Sequence, residues 1–243
     1  MLRRLRLVGH KGADLIVRGN TVESFKAAVE AGVDTIEFDV IWLRDAELPP
    51  EQRAPLMVAH DWEAQAAHPP LPLTEALDAF LEPPLDKVEI DLDIKLPGRE
   101  EEFVAALVER DLVDRAMIST MEMHTLKRVL ELEPKLRRGW TYPRAGRDYT
   151  RRPWAKPVLQ GALQMMRLQL PGLAAEKLPQ FGVFAMWVYH PLVSAKLARI
   201  CERAGVELIA WTVDDERRMR KLVDMGVDGL VSNDPRLYAR LEA

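Results

Sequence analysis

The chain has 243 residues, 48% hydrophobic and 30% charged, with a formal net charge of −4. That length can bury a substantial core, and the acidic balance excludes a global basic field of the kind nucleic acid selects. One cysteine, Cys201, excludes an intrachain disulfide, and with no secretory h-region or apolar run of about 18 residues the expected location is the cytoplasm, without integral membrane association.

Along the chain, short apolar strand-like runs alternate with stretches of helical period. LRLVGH (5–10) reads as a strand. A helix is expected over 21–32, capped by Asn20 or Thr21 and stopped at Gly32. DTIEFDV (34–40) and LMVAH (56–60) read as the next two strands, followed by a helix over 73–81 capped by Thr74. KVEIDLDIK (87–95) is a strand, 99–111 a helix, 115–120 a strand, 121–133 a helix and 136–142 a strand. The segment 143–182 starts basic and proline-broken, then turns Met-rich and partly helical. It is expected to be an elaborated loop with helices over the barrel rim, its Met and Leu serving packing in preference to a lipid-contact surface. Strand 184–190, a helix over 191–205 between Pro191 and Gly205, and strand 206–213 follow. The helix over 214–226 opens with acids and carries its bases later, as the macrodipole favours. The last strand is 228–234.

Repeated strand–helix units imply parallel strands joined by crossover helices. About eight of them in one chain of this size predict a single-domain α/β fold, a (β/α)8 TIM barrel. A doubly wound open sheet is the competitor, but no G-x-G-x-x-G or G-x-x-x-x-G-K-[ST] follows any strand.

Side chains alternate across a strand. In DTIEFDV the apolar Ile36, Phe38 and Val40 share one face, and Glu37 and Asp39 the other. In the strand at 87–95, Val88, Ile90, Leu92 and Ile94 oppose Glu89, Asp91, Asp93 and Lys95. The apolar faces suit packing beneath outer helices, so the acidic faces point into the barrel. A buried row of carboxylates is costly unless paired or metal-bound. A hard divalent cation would compensate, and active sites lie at the C-terminal ends of barrel strands. Glu37, Asp39 and Asp93 are therefore the candidate metal ligands, with Lys95 beside them and Glu89 and Asp91 deeper on polar partners. A metal-free network of ion pairs accounts for the same carboxylates equally well.

His10 ends the first strand and His60 ends LMVAH. If both strands belong to the barrel, their tips share its mouth, where one imidazole can act as general base and the other as general acid. His68 and His124 read as solvated surface; His190 could line the rim, but Pro191 beside it suggests a helix-entry role.

The ordered set His10, Gly12, Asn20, Thr21, Glu37-x-Asp39-Val40 and His60-Asp61, with Asp93-x-Lys95, Trp211-Thr212-Val213 and GVDG at 226–229, resembles the glycerophosphodiester phosphodiesterase family from residue 8 to 235. The resemblance implies a (β/α)8 barrel that cleaves glycerophosphodiesters to glycerol 3-phosphate and an alcohol. It implies one divalent cation (Mg or Ca, with Mn also suited to oxygen ligands) on Glu37, Asp39 and Asp93, and acid–base roles for His10 and His60. It places Lys95 on the phosphate and Trp211 against the glycerol. Departures are Lys11 where the family has Arg, Gly19 in place of a Glu, Asp93 in place of a Glu, an insertion before His60 and a shortened segment after it. Lys11 would offer phosphate a point charge instead of a bidentate fork. Two other readings keep the barrel: a sphingomyelinase-D-like enzyme acting on lysophospholipid, and a non-catalytic barrel that binds a phosphorylated ligand. The expected partner is a small molecule, a glycerophosphodiester or lysophospholipid. Oligomeric state is not legible.

Overall fold

The computed structural model describes residues 4–43, 48–61, 63, 69, 71–144 and 156–241. Eight parallel strands carry the fold: β1 (Arg6–His10), β2 (Thr35–Ile41), β5 (Glu89–Ile94), β6 (Ala116–Thr120), β7 (Arg137–Tyr142), β8 (Ala185–Tyr189), β9 (Glu207–Trp211) and β10 (Gly229–Ser232). They run side by side in that order, and β1 pairs with both β2 and β10, so the sheet closes into a barrel. This is the expected (β/α)8 architecture. Two-residue strands β3 (Met57–Val58) and β4 (Leu71–Pro72) stand outside it.

The 56–60 stretch is thus a correction. β3 pairs antiparallel with the end of β2, Val40 opposite Val58, and β4 with β3. LMVAH folds back over the rim as a hairpin and is not a barrel stave. A short apolar run has no period long enough to distinguish the two.

Among the described residues the helices are α1 (Val22–Glu30), α2 (Leu73–Ala79), α3 (Glu100–Val108), α4 (Met123–Leu132), α5 (Lys156–Phe181), α6 (Ala195–Ala204) and α7 (Glu216–Asp224). Thr21 caps α1 by accepting from the Ser24 N–H, and Asp215 caps α7 by accepting from Arg218. Thr74 does not cap α2, whose N-cap is Pro72 without a side-chain bond. Pro191 starts a 3-10 turn, His190–Leu192, and Ser194 caps α6 in its place. Gly205 ends α6 in the left-handed region at φ 69°, as glycine permits. In the 143–182 segment, α5 is one continuous helix and residues 145–155 lie outside the described set. Its Leu170, Ala174 and Leu178, four apart, are buried against the barrel wall. Among the described residues no helix is long and apolar enough to cross a membrane.

Strand parity sorts the wall. Outward-facing Ile36, Phe38, Ile90 and Leu92 pack under Phe25, Leu77, Phe80 and Phe103 of the first helices. The rings of Phe25, Phe38 and Phe80 lie 5.1–5.8 Å apart. Burying side chains of this kind stabilises by about 1.5–3 kcal/mol each. Inside, the barrel is layered. At its N-terminal end Arg6 holds Glu89, Glu207 and Thr35, and Arg137 holds Glu89. Above lies an apolar layer of Val8, Met117, Ala185, Ile209 and Val231, with Trp187. The polar groups of the C-terminal mouth rest on that dry layer.

Candidate active site

β2 and β5 are in register, with Glu37 beside Asp91 and Asp39 beside Asp93. Neighbouring inward positions therefore put carboxylates together. Glu37, Asp39 and Asp93 each present an oxygen within 4.8 Å of the others, and the first two are buried. Burial, reinforced by the charges of Asp39 and Asp93, pushes the Glu37 carboxyl well above the usual range. Burial opposes the charge on Asp39 as well, but Lys95, Lys11 and the two histidines outweigh it and hold that carboxyl below its ordinary value. Lys95 lies 2.5 Å from Asp39 Oδ1 and also pairs with Asp93. Burial works against its ammonium, and the surrounding carboxylates raise its pKa all the same. The site is an acidic pit with a lysine set into it. Its all-oxygen donor set, too negative to be fully ionised unaided, fits a hard divalent cation.

Local backbone builds the rest. Lys11 and Asn20 adopt positive φ, 52° and 59°, folding the β1–α1 loop back over β2. The Lys11 N–H donates to Glu37 Oε2 at 3.0 Å, and the Lys11 Nζ stands 4.0 Å from Asp39. Asn20 donates to Asp39 Oδ2 at 2.9 Å and accepts from the Asp39 N–H. At Gly19, where the family resemblance has a Glu, the neighbouring space is taken by Asp14. A Cβ at Gly19 would lie 2.6 Å from Asp14 Oδ1, which accepts from the Gly19 N–H.

His10 lies at the mouth with Nε2 3.9 Å from Glu37 Oε2. Its Nδ1 is 2.5 Å from Asn233 Oδ1. Asn233 in turn donates from Nδ2 and from its backbone N–H to the Asp214 carboxylate, which also accepts from Ser232. Because Asn233 offers His10 its carbonyl oxygen, Nδ1 must carry the proton, and Nε2 holds the free lone pair. Burial, then the nearby Lys11 charge, lowers the His10 pKa, so the ring is neutral near pH 7. Asn233 and Asp214 escaped the sequence reading. The signal was there: 229, 231 and 233 share the inward parity of β10, just as 6, 8 and 10 do in β1.

His60 reaches the mouth by the hairpin. The Ala59 N–H donates to the Asp39 carbonyl, and His60 Nδ1 lies 3.0 Å from Asp61 Oδ2. The His60 side chain is about half exposed, at 52%. Trp211 ends β9, its ring 5.5 Å from Tyr189, with an indole N–H that is buried and has no partner among the described residues. Of the other expected groups, Glu89 takes arginines in the barrel floor and Asp91 accepts from Ser119 at 2.7 Å. His124 is exposed on α4, and His68 lies outside the described residues.

His190 is no mere helix start. Its ring packs on Tyr189 and its Nδ1 accepts from Arg218 Nε at 3.0 Å. Burial and then the Arg218 charge lower its pKa from 6.5 to about 4. An unfolded chain would bind a proton near 6.5 that the folded ring refuses until about 4. Stability should therefore fall as pH drops through that window. Melting curves of wild type and His190→Gln between pH 7 and 4 test this. The variant should have the flatter dependence, and parallel curves would contradict the assignment.

A family model described as the glycerophosphoryl diester phosphodiesterase family matches residues 10–48 and 72–237. The chain belongs to this family. It is 26% identical to a glycerophosphodiester phosphodiesterase of Caldanaerobacter subterraneus subsp. tengcongensis, across 97% of this chain and 96% of that protein. A Bacillus subtilis glycerophosphodiester phosphodiesterase is 23% identical, with 98% and 87% covered. Among solved structures, a glycerophosphodiester phosphodiesterase from Parabacteroides distasonis superposes with a TM-score of 0.73 at 18% identity, covering 99% of this chain and all of that one. An Oleispira antarctica phosphodiesterase, solved with sn-glycerol-3-phosphate, superposes at 0.69 and 18%, with 98% and 97% covered. Membership in the glycerophosphoryl diester phosphodiesterase family carries the phosphodiesterase chemistry for which the family is named.

Proposed function

We propose that this protein is a metal-dependent phosphodiesterase that cleaves glycerophosphodiesters to glycerol 3-phosphate and an alcohol by two-histidine acid–base catalysis. The observation that carries the reading is the acidic pit of Glu37, Asp39 and Asp93 with Lys95 set into it and His10 at its edge. The relatives named above and the product complex of the Oleispira enzyme support the substrate class.

Glu37, Asp39 and Asp93 would hold one divalent cation, Mg, Ca or Mn. When bound it supplies Lewis-acid stabilisation of charge on the phosphoryl oxygens. Lys95, and Lys11 as a second point charge, bind and orient the phosphate from the same wall. His10, neutral and with Nε2 free, takes the proton from the nucleophile, either water or the neighbouring glycerol hydroxyl, which would give a cyclic phosphate first. As the new P–O bond forms and the old one breaks, His60 gives its proton to the departing alcohol oxygen. Asp61 supplies the counter-charge behind that ring. Trp211 walls the glycerol.

Asn233 acts through His10. Asn233→Ala should cut kcat by roughly 10-fold or more, the worth of one buried hydrogen bond of about 1–3 kcal/mol, with KM little changed. Steady-state kinetics decide it, and an unchanged kcat would remove Asn233 from the mechanism.

A lipid-tailed substrate is the second reading. Met165 and Leu168 on α5 are 58% and 67% exposed, apolar surface suited to an acyl chain. Release of glycerol 3-phosphate from glycerophosphocholine and glycerophosphoethanolamine should be followed in EDTA and with Mg, Ca or Mn restored, beside release of choline from lysophosphatidylcholine. Ion-dependent release from the glycerophosphodiesters is the expected result. Turnover of the lysolipid alone would favour the second reading, and binding without turnover of any of them would make the barrel a binding module.

A further inference from the structure

Around the closed sheet, β8 and β9 lie across the mouth from β2 and β5, the strands that carry the carboxylates. A substrate whose phosphate sits on the β2–β5 wall therefore projects an arm toward β8 and β9. There the rings continue outward without a break. Trp211 lies 5.5 Å from Tyr189, Tyr189 lies 5.4 Å from His190, and His190 is bonded to Arg218.

Behind this path two guanidiniums clasp one turn of backbone. Arg218 of α7 donates to the His190 carbonyl, and Arg167 of α5 donates from Nε to the Val193 carbonyl at 3.1 Å. The Val193 N–H itself donates to the His190 carbonyl, so the two anchor points belong to the same turn. Among the described residues neither arginine has a carboxylate within ion-pairing distance. The nearest acids are otherwise engaged: Asp214 with Asn233 and Ser232, Asp215 as the α7 cap, and Glu216 with Arg220 and Arg240. The two like charges also feel one another, which, after burial, holds the Arg218 pKa down. Both side chains are half-buried. Among the described residues, the hydrogen bonds made leave Arg218 Nη1 and both terminal nitrogens of Arg167 without a partner. Since His190 Nδ1 accepts from Arg218, its Nε2 carries a proton and is a further donor. Asp214 and Asp215 lie near enough to raise the His190 pKa, yet among the described residues neither pairs with an arginine, so two cations and an imidazole N–H form a site for a further anion.

We propose that Arg167, Arg218 and His190 form a subsite for a second anionic group, a phosphate or phosphodiester carried on the arm of the substrate that passes Trp211 and Tyr189. The proposal rests on the phosphodiesterase reading and adds a preference to it: diesters with a second phosphate over neutral ones.

A matched pair of substrates tests it. Glycerophosphoglycerol presents a neutral glycerol to Trp211, and bis(glycerophospho)glycerol can present its central glycerol there, which bears a second phosphodiester. Total diester cleavage should show kcat/KM about 10-fold or more higher for the second, as one charge-assisted contact would give. In Arg167→Gln that ratio should fall toward one, while cleavage of glycerophosphoglycerol stays near wild type. Arg218→Lys, which keeps the charge, should retain more of the preference than Arg218→Gln. Equal rates on both substrates in wild type would overturn the subsite and leave the phosphodiesterase reading standing. Turnover of neither would overturn that reading itself. If Arg167→Gln slowed both substrates alike, the arginine would be a strut between α5 and the turn, and the proposal would fail.

Discussion

His10→Ala should lower kcat by roughly 10²–10⁴-fold, the range for loss of one positioned general base, with KM within about threefold because the ring binds no ground-state charge. The size of the effect follows from how completely the structure commits this ring. Asn233 occupies Nδ1, Asp214 fixes Asn233, and the remaining nitrogen faces the acidic pit. His60→Ala should cost a comparable factor through the other half of the transfer. The double variant should be far better than the product of the two losses, since groups that act as a unit are not additive. His124→Ala on the exposed face of α4 is the control and should be silent. Steady-state rates on glycerophosphocholine with saturating ion check all four. A His10→Ala enzyme within threefold of wild type would remove His10 from the chemistry.

Much of this site could be read from sequence because strand parity is rigid. Glu37 and Asp39 in DTIEFDV, and the three acids in VEIDLDIK, could share a face with no apolar residue, so their direction was fixed once the opposite face was seen to be apolar. Parity also carries Asn233, although an amide attracts less notice than a histidine at a strand tip. What the sequence lacked was long-range pairing. Nothing local tells LMVAH to turn antiparallel onto Val40 instead of joining the barrel, yet this hairpin is what brings His60 over Asp39. Closure between β1 and β10 joins residues more than 200 apart. Sequence order also hides that Asp14 packs against Gly19 and accepts from its N–H. Pro191 misled for a local reason: it initiates helical φ equally well in a 3-10 turn, and Ser194, three residues on, is the true cap.

The carboxylate pit sets stability against function, and Glu37→Gln exposes the conflict. Glu37 sits buried beside two further acids, whose repulsion Lys95 offsets only in part. Neutralising it relieves repulsion, so in EDTA the Glu37→Gln variant should melt at or above the wild-type temperature. An ion reverses the order. At about 100 times its Kd, an ion bound only by the folded state adds ~2.7 kcal/mol, or roughly 5–10 °C for a domain of this size. Wild type should gain that shift with Mg, Ca or Mn, while Glu37→Gln gains little and loses activity with it. Asp39→Asn should behave differently, because Asp39 is the partner of Lys95 and of Asn20. Removing its charge leaves a buried ammonium short of an anion, and Tm should fall even in EDTA. Calorimetry of the three proteins with and without each ion separates the cases. A wild-type Tm indifferent to every ion would make the pit a metal-free ion-pair network, with Lys95 as its permanent cation. A shift that survives in Glu37→Gln would place the ion on other ligands. A shift confined to wild type, together with the opposite EDTA responses of the two variants, would mean that Glu37 is kept at a cost to the resting fold because the bound ion needs it.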